Sequence, residues 1–169
     1  MLISLLIWLQ NLKPFSDLRS SAYVYPIVLA LHLSAISLFG AMIVATDLRL
    51  LGWALRDAPI TDVIGRLRWP KRIGFILAAT CGLLLFSSKA EEYYYNPFFQ
   101  TKIALFVLVA VHALLFQRTV YRNAAEMDRG AGPSPWAKLA ASLSLFLWLA
   151  ILCAGRAIGY VAGRRGMHY

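Results

Sequence analysis

The sequence predicts an all-α fold, an integral-membrane four-helix bundle with a short N-terminal interfacial helix. Two observations carry this. The 169-residue chain is 60% hydrophobic and 15% charged, with a mean hydropathy of +0.63. Soluble domains average about 45–50% apolar and ~25% charged residues. Four stretches, at about residues 23–45, 73–88, 98–117 and 136–160, are apolar enough to cross a hydrocarbon core of about 30 Å. Together they predict one membrane domain over residues 1–169.

Residues 1–12, MLISLLIWLQNL, are apolar but short. They lack the basic start and small-residue cleavage site of a signal peptide. Leu2, Leu5, Leu6, Leu9 and Leu12 recur at helical spacing, and Trp8 suits an interface. This predicts an amphipathic helix on the membrane surface, ended by Pro14. In the first span Ala30, Ser34, Ser37 and Ala41 form a small-residue seam that would let a neighbouring helix approach. His32 lies about 200° around the helix from Ala30, and Phe39 and Thr46 share its side.

Residues 46–72 read as a polar connection with a short surface helix starting near Thr61. Trp53 and Trp69 would mark an aromatic belt. Asp47 and Arg49 read as a solvated cap in contact with headgroups. The second span, Ile73–Ser88, covers only about 24 Å at ~1.5 Å per residue, so it extends into its flanks. Gly74, Ala78 and Gly82 repeat every four residues, a second close-packing stripe. An acidic and aromatic turn follows, whose Tyr93, Tyr94 and Tyr95 suit an interfacial anchor. Pro97 fits the first helical position of the third span. GAGPSP marks a turn before the fourth span, and the tail from Val161 is expected to fray.

The net charge of +9 comes from basic residues spread over short connections. No aromatic–basic patch or motif for nucleic acid accompanies it, so membrane orientation is the better explanation. Six Lys/Arg lie in residues 46–72, four in 118–138, and one in the connection that holds Lys89. The positive-inside rule then predicts both basic connections in the cytoplasm and both termini outside. Cys81 and Cys153 sit inside apolar segments and read as small apolar residues, with no disulfide framework.

Ionisable residues inside a bilayer are costly unless they face a partner or a cavity. The spans hold His32, Lys102, His112 and Arg156. Imidazoles on two helices of a bundle can ligate a metal or haem iron, which makes His32 and His112 the candidate metal and haem b ligands. Counted from the span starts, the two differ by roughly 7 Å in depth. Lys102 and Arg156 fall near the outer ends of their spans. They either snorkel to headgroups, pairing with Glu91 or Glu92, or hold an anion such as a haem propionate. No nucleophile elbow, P-loop, zinc spacing or dinucleotide fingerprint occurs.

The strings DLRLLG (Asp47–Gly52), NPFFQTKIALF (Asn96–Phe106) and GRAIGY (Gly155–Tyr160) resemble an uncharacterised family of bacterial four-helix inner-membrane proteins that carries a domain-of-unknown-function label. More remotely, the layout resembles copper-resistance D-type membrane proteins and small b-type cytochrome subunits. The resemblance implies the fold and a bacterial inner-membrane location, and supplies no activity.

Two function classes stay open. One is a small membrane redox module that binds haem b for electron transfer. The other is a non-catalytic partner or anchor subunit whose outer face docks a periplasmic or membrane protein and whose histidines only bond between helices.

Overall fold

A computed structural model describes residues 1–165. Its elements are α1 (Leu2–Asn11), α2 (Lys13–Ser20), α3 (Val24–Leu51), α4 (Ile60–Ser88), α5 (Ala90–Tyr94), α6 (Pro97–Phe116), α7 (Ala124–Glu126) and α8 (Pro135–Arg165). Wide π-type turns at Gln117–Tyr121 and Met127–Ala131 flank α7. Four helices are long and apolar enough to cross a membrane, over Val24–Leu51, Ile60–Ser88, Pro97–Tyr121 and Pro135–Tyr160. This is an all-α membrane bundle carrying a short N-terminal helix.

The main contacts run α4 to α3, α3 to α8 and α8 to α6. Large apolar side chains such as Leu38, Leu83, Val107 and Phe146 point outward. That pattern suits lipid, where burial against water is not what drives helices together. The compact apolar core instead sits at one end, where Leu50, Ile60, Phe116, Val120, Ala124, Met127, Ala137 and Ala141 meet. Most of the basic residues cluster here, and exposed Trp53, Trp69 and Trp136 ring it. We call it the basic end.

Several expected boundaries move. The first span continues to Leu51, where Gly52 at φ +75° closes it by donating its N–H to the Arg49 and Leu48 carbonyls. A left-handed residue there favours glycine. The short surface helix near Thr61 and the second span are one helix, Ile60–Ser88, with Pro70 inside it. Proline removes one helix hydrogen bond, but Arg66 and Pro70 are both exposed near the basic end, where water can reach the freed carbonyl. The start of α4 is capped from a distance. Asp128 accepts from the N–H of Ile60 (2.7 Å), the N–H of Thr61 (3.0 Å) and the Thr61 hydroxyl (2.8 Å). A carboxylate at a helix N-terminus also complements the helix dipole.

Loss of solvent is the largest single influence on Asp128 and acts upward. The N–H groups of Thr61 and Ile60, the Thr61 hydroxyl and the charge of Arg49 outweigh it and hold the carboxyl below the ordinary aspartate value.

At the opposite end α1, α2 and α5 form a cap. Pro14 lies in the first turn of α2 rather than merely ending α1. Arg19 donates to the Ser88 carbonyl (2.9 Å), while the Gln10 amide bonds both the Glu91 carboxylate and the Glu91 N–H. Asn96 is 2% exposed and starts α6: its Oδ1 accepts from the N–H of Phe98 and Phe99, and its Nδ2 donates to the Ile158 carbonyl. Phe86, Phe99 and Tyr93 stack beside it. Burial, then the adjacent Tyr25 hydroxyl and the charge of Glu92, push the Tyr93 phenol well above its ordinary value.

Of the two small-residue stripes, only one packs the bundle. Gly74 and Ala78 are buried, and Gly82 sits under His32. Ala30, Ser34, Ser37 and Ala41 are exposed, and Ser37 and Ala41 line an open groove between α3 and α8. The close approach of α3 to α8 uses buried Gly40 instead, which receives the indole of Trp148. The tail continues as helix to Arg165, and residues 166–169, with His168, lie outside the described residues.

Candidate functional site

The buried polar groups gather in two places, one near each end of the bundle. Towards the capped end, His32 on α3 turns to α4. Its Nδ1 lies 2.9 Å from the Ala78 carbonyl, and a carbonyl can only accept, so Nδ1 carries the proton in that bond. A Cβ added to Gly82 would come within 2.9 Å of His32 Cε1. Glycine is therefore what lets this imidazole approach α4 so closely. Lys102 on α6 is close enough for its charge to act on His32. Its ammonium lies over the Phe106 ring, 5.7 Å from the centroid, and beside Gly155 of α8.

Arg156 behaves differently from Lys102. It is exposed and lies over the Tyr160 ring at 5.2 Å, the arrangement of a cation reaching for the interface. Glu91 and Glu92 are taken up elsewhere, by Gln10 and by Lys89 (3.8 Å).

His112 sits towards the basic end. Its ring packs on Phe116 at 5.6 Å and interacts with the Ala140 carbonyl of α8, and its Nε2 is buried without a hydrogen-bond partner. The structure does not bring His32 and His112 together. Lys102 marks the level of His32 on α6, and His112 is ten residues farther along that helix. At 1.5 Å per residue this is about 15 Å of depth, twice the separation read from the sequence. On α8 the corresponding neighbours, Gly155 and Ala140, are fifteen residues apart, about 22 Å. One metal ion or one haem ring needs its two imidazoles within a few Å of each other. The pair does not fit as joint ligands of a single group. Among the described residues there is also no group of three or more His, Cys, Asp or Glu that could hold a metal ion.

The second polar centre lies at the basic end and differs from the sequence expectation. Asp47 is not a solvated cap. It is 3% exposed, and Thr46 beside it is 2% exposed. All eight Asp and Glu lie within the described residues, and Asp47 is the one that is buried. Lys71 of α4 reaches in and donates to Thr46 Oγ1 (2.9 Å) and to the Tyr121 hydroxyl (3.3 Å). The Thr46 hydroxyl donates in turn to the Met42 carbonyl (2.9 Å). Lys71 and Tyr121 act electrostatically on Asp47, and Ser144 of α8 interacts with its carboxylate. Asp47 Oδ2 is nevertheless left without a hydrogen-bond partner. Tyr121 ends the π turn that follows α6. Polar groups from all four spanning helices, or from the turn that extends α6, therefore meet at Asp47.

Residues 20–161 match the family of unknown function DUF6644, and the chain belongs to that family. No curated protein and no solved structure matches it.

Proposed function

We propose that this chain is a non-catalytic partner subunit of a bacterial inner membrane, with both termini on the periplasmic side. The observation that supports this most is how the two intramembrane imidazoles are used. Each faces a backbone carbonyl on a neighbouring helix, His32 towards α4 and His112 towards α8, at opposite depths. Histidines placed this way tie helices together, a role worth roughly 0.6 kcal/mol per bond in a membrane bundle. The docking face would be the capped end, where Gln10, Arg19, Lys89, Glu91, Glu92 and Tyr95 line a cleft of about 370 Å³. Its wall carries charges of both signs, which suits a protein surface that is itself polar and charged at the rim.

The second reading is a redox module holding haem b through His32 alone. One observation favours it: an imidazole whose Nδ1–H is held by a carbonyl presents Nε2 as a ligand, the common arrangement of ligating histidines.

A reduced-minus-oxidised optical spectrum of the protein purified from haem-replete cells separates the two. The partner reading expects no Soret or α band. A band that disappears in His32→Ala would overturn it in favour of the redox module. A photo-crosslinker at Glu92 in native membranes supplies the positive test. Capture of a second, different protein is expected, and failure to capture one refutes docking at this face.

A further inference from the structure

We propose that Asp47 is a proton-binding site, built by the four spans at the basic end of the bundle and independent of the docking reading. The argument rests on geometry. A buried carboxylate needs several hydrogen-bond donors or a close cation, and Asp47 has few. Its Oδ2 is buried and unpartnered. Among the described residues Lys71 is the one cation that acts on it from the facing helices, and that ammonium is committed to Thr46 Oγ1 and Tyr121. Among the described residues the ion pair within 4.0 Å is Lys89–Glu92, so Asp47 and Lys71 are close without closing a pair.

The other groups facing Asp47 are the phenol of Tyr121, from the turn after α6, and the hydroxyl of Ser144, from α8. On its own helix Arg49 turns away and donates to the Ala58 carbonyl. His112 packs against the Phe116 ring, which in turn packs against Tyr121. A proton taken from water at the basic end would go to Oδ2. The Asp47–Lys71 cluster would then change from net neutral to a net charge of +1, with no other bond made or broken. Such a site has two charge states within one packed junction of all four helices. That is the kind of local switch that can bias how helices pack.

The test is infrared difference spectroscopy of the full chain in nanodiscs, titrated between about pH 9 and about pH 5. The expected result is a carbonyl band of one protonated carboxyl group that grows as the pH falls and is absent in Asp47→Asn. In Lys71→Met, loss of the neighbouring cation should raise the midpoint by about one pH unit, a tenfold gain in proton affinity. No such band in the wild type overturns the proposal, as does a band that survives Asp47→Asn or a midpoint unmoved by Lys71→Met. If Asp47→Asn does not fold, Lys71→Met decides alone, because the other seven carboxylates are not buried and lie outside this cluster.

Discussion

The cap that Asp128 places on α4 allows the most direct test of the architecture. The perturbation is Asp128→Ala. It removes three acceptor contacts at 2.7, 3.0 and 2.8 Å from the first residues of a 29-residue spanning helix. Losing an N-cap costs about 0.5–2 kcal/mol. Hydrogen bonds to a charged group are worth about 1.5–3 kcal/mol each when protected. Asp128 is exposed, so water replaces much of what is lost, and about 1–2 kcal/mol remains. On the scale of soluble domains of similar length that is a fall in Tm of about 2–8 °C.

The pH dependence has a definite sign. The folded carboxyl is held below its ordinary value. Its contribution is therefore complete above the unfolded value of about 3.9 and is lost as pH falls through the folded one. Wild type and Asp128→Ala should differ in Tm at neutral pH and converge in strong acid. The assay is thermal unfolding in detergent, repeated with Thr61→Val to complete a double-mutant cycle. Equal melting of wild type and Asp128→Ala at neutral pH would show that water caps α4 as well as Asp128 does.

Three further outcomes follow from the same geometry. Gly82→Leu should cost roughly 1–3 kcal/mol, because even its Cβ falls 2.9 Å from His32 Cε1; an unchanged Tm in detergent would place that contact elsewhere. His112→Leu should change stability by less than about 1 kcal/mol in either direction, since relief of the unsatisfied buried Nε2 offsets loss of the bond of roughly 0.6 kcal/mol to the Ala140 carbonyl; a larger drop in Tm would mean that Nε2 has a partner. A cysteine engineered at Arg122, in a chain with Cys81 and Cys153 replaced, should react only with reagents that reach the cytoplasm. Labelling by an impermeant reagent from the periplasm would reverse the orientation.

The sequence made the spans legible because lipid selects for length and apolarity, and both can be counted. The start of the third span was also readable from Pro97 at its first helical position, while the Asn96 cap emerged only in the structure. Distant partners were not readable. Asp128 reaches across 67 or 68 residues to start α4, and no local pattern announces that. The continuation of α4 through Pro70 was hidden for the same reason, because its charged first turns look like a loop when hydropathy is the only guide.

The faces of the helices explain the remaining differences. In water, an amphipathic stripe shows which side is buried. Here outward and inward sides are both apolar, so Ala30, Ser34, Ser37 and Ala41 carry the same signal as Gly74, Ala78 and Gly82, although the first set is exposed and the second packs α4 against α3. Polar side chains are then the better guide to the interior, but only with rotational register in hand. Asp47 lies one residue after Thr46, whose side chain had been placed with His32 and Phe39, and one helical step of about 100° does not separate inside from outside when four helices converge. Position near the end of a span suggested a solvated cap for Asp47. What buries it is Lys71, Tyr121 and Ser144 arriving from three other segments. The same logic separates His32 from His112. Two histidines in different spans of a small bundle suggest a shared site only while depth is uncertain. Once Lys102 and Ala140 mark their levels, about 15–22 Å of helix lies between them, and the chemistry of the bundle becomes that of two separate polar centres.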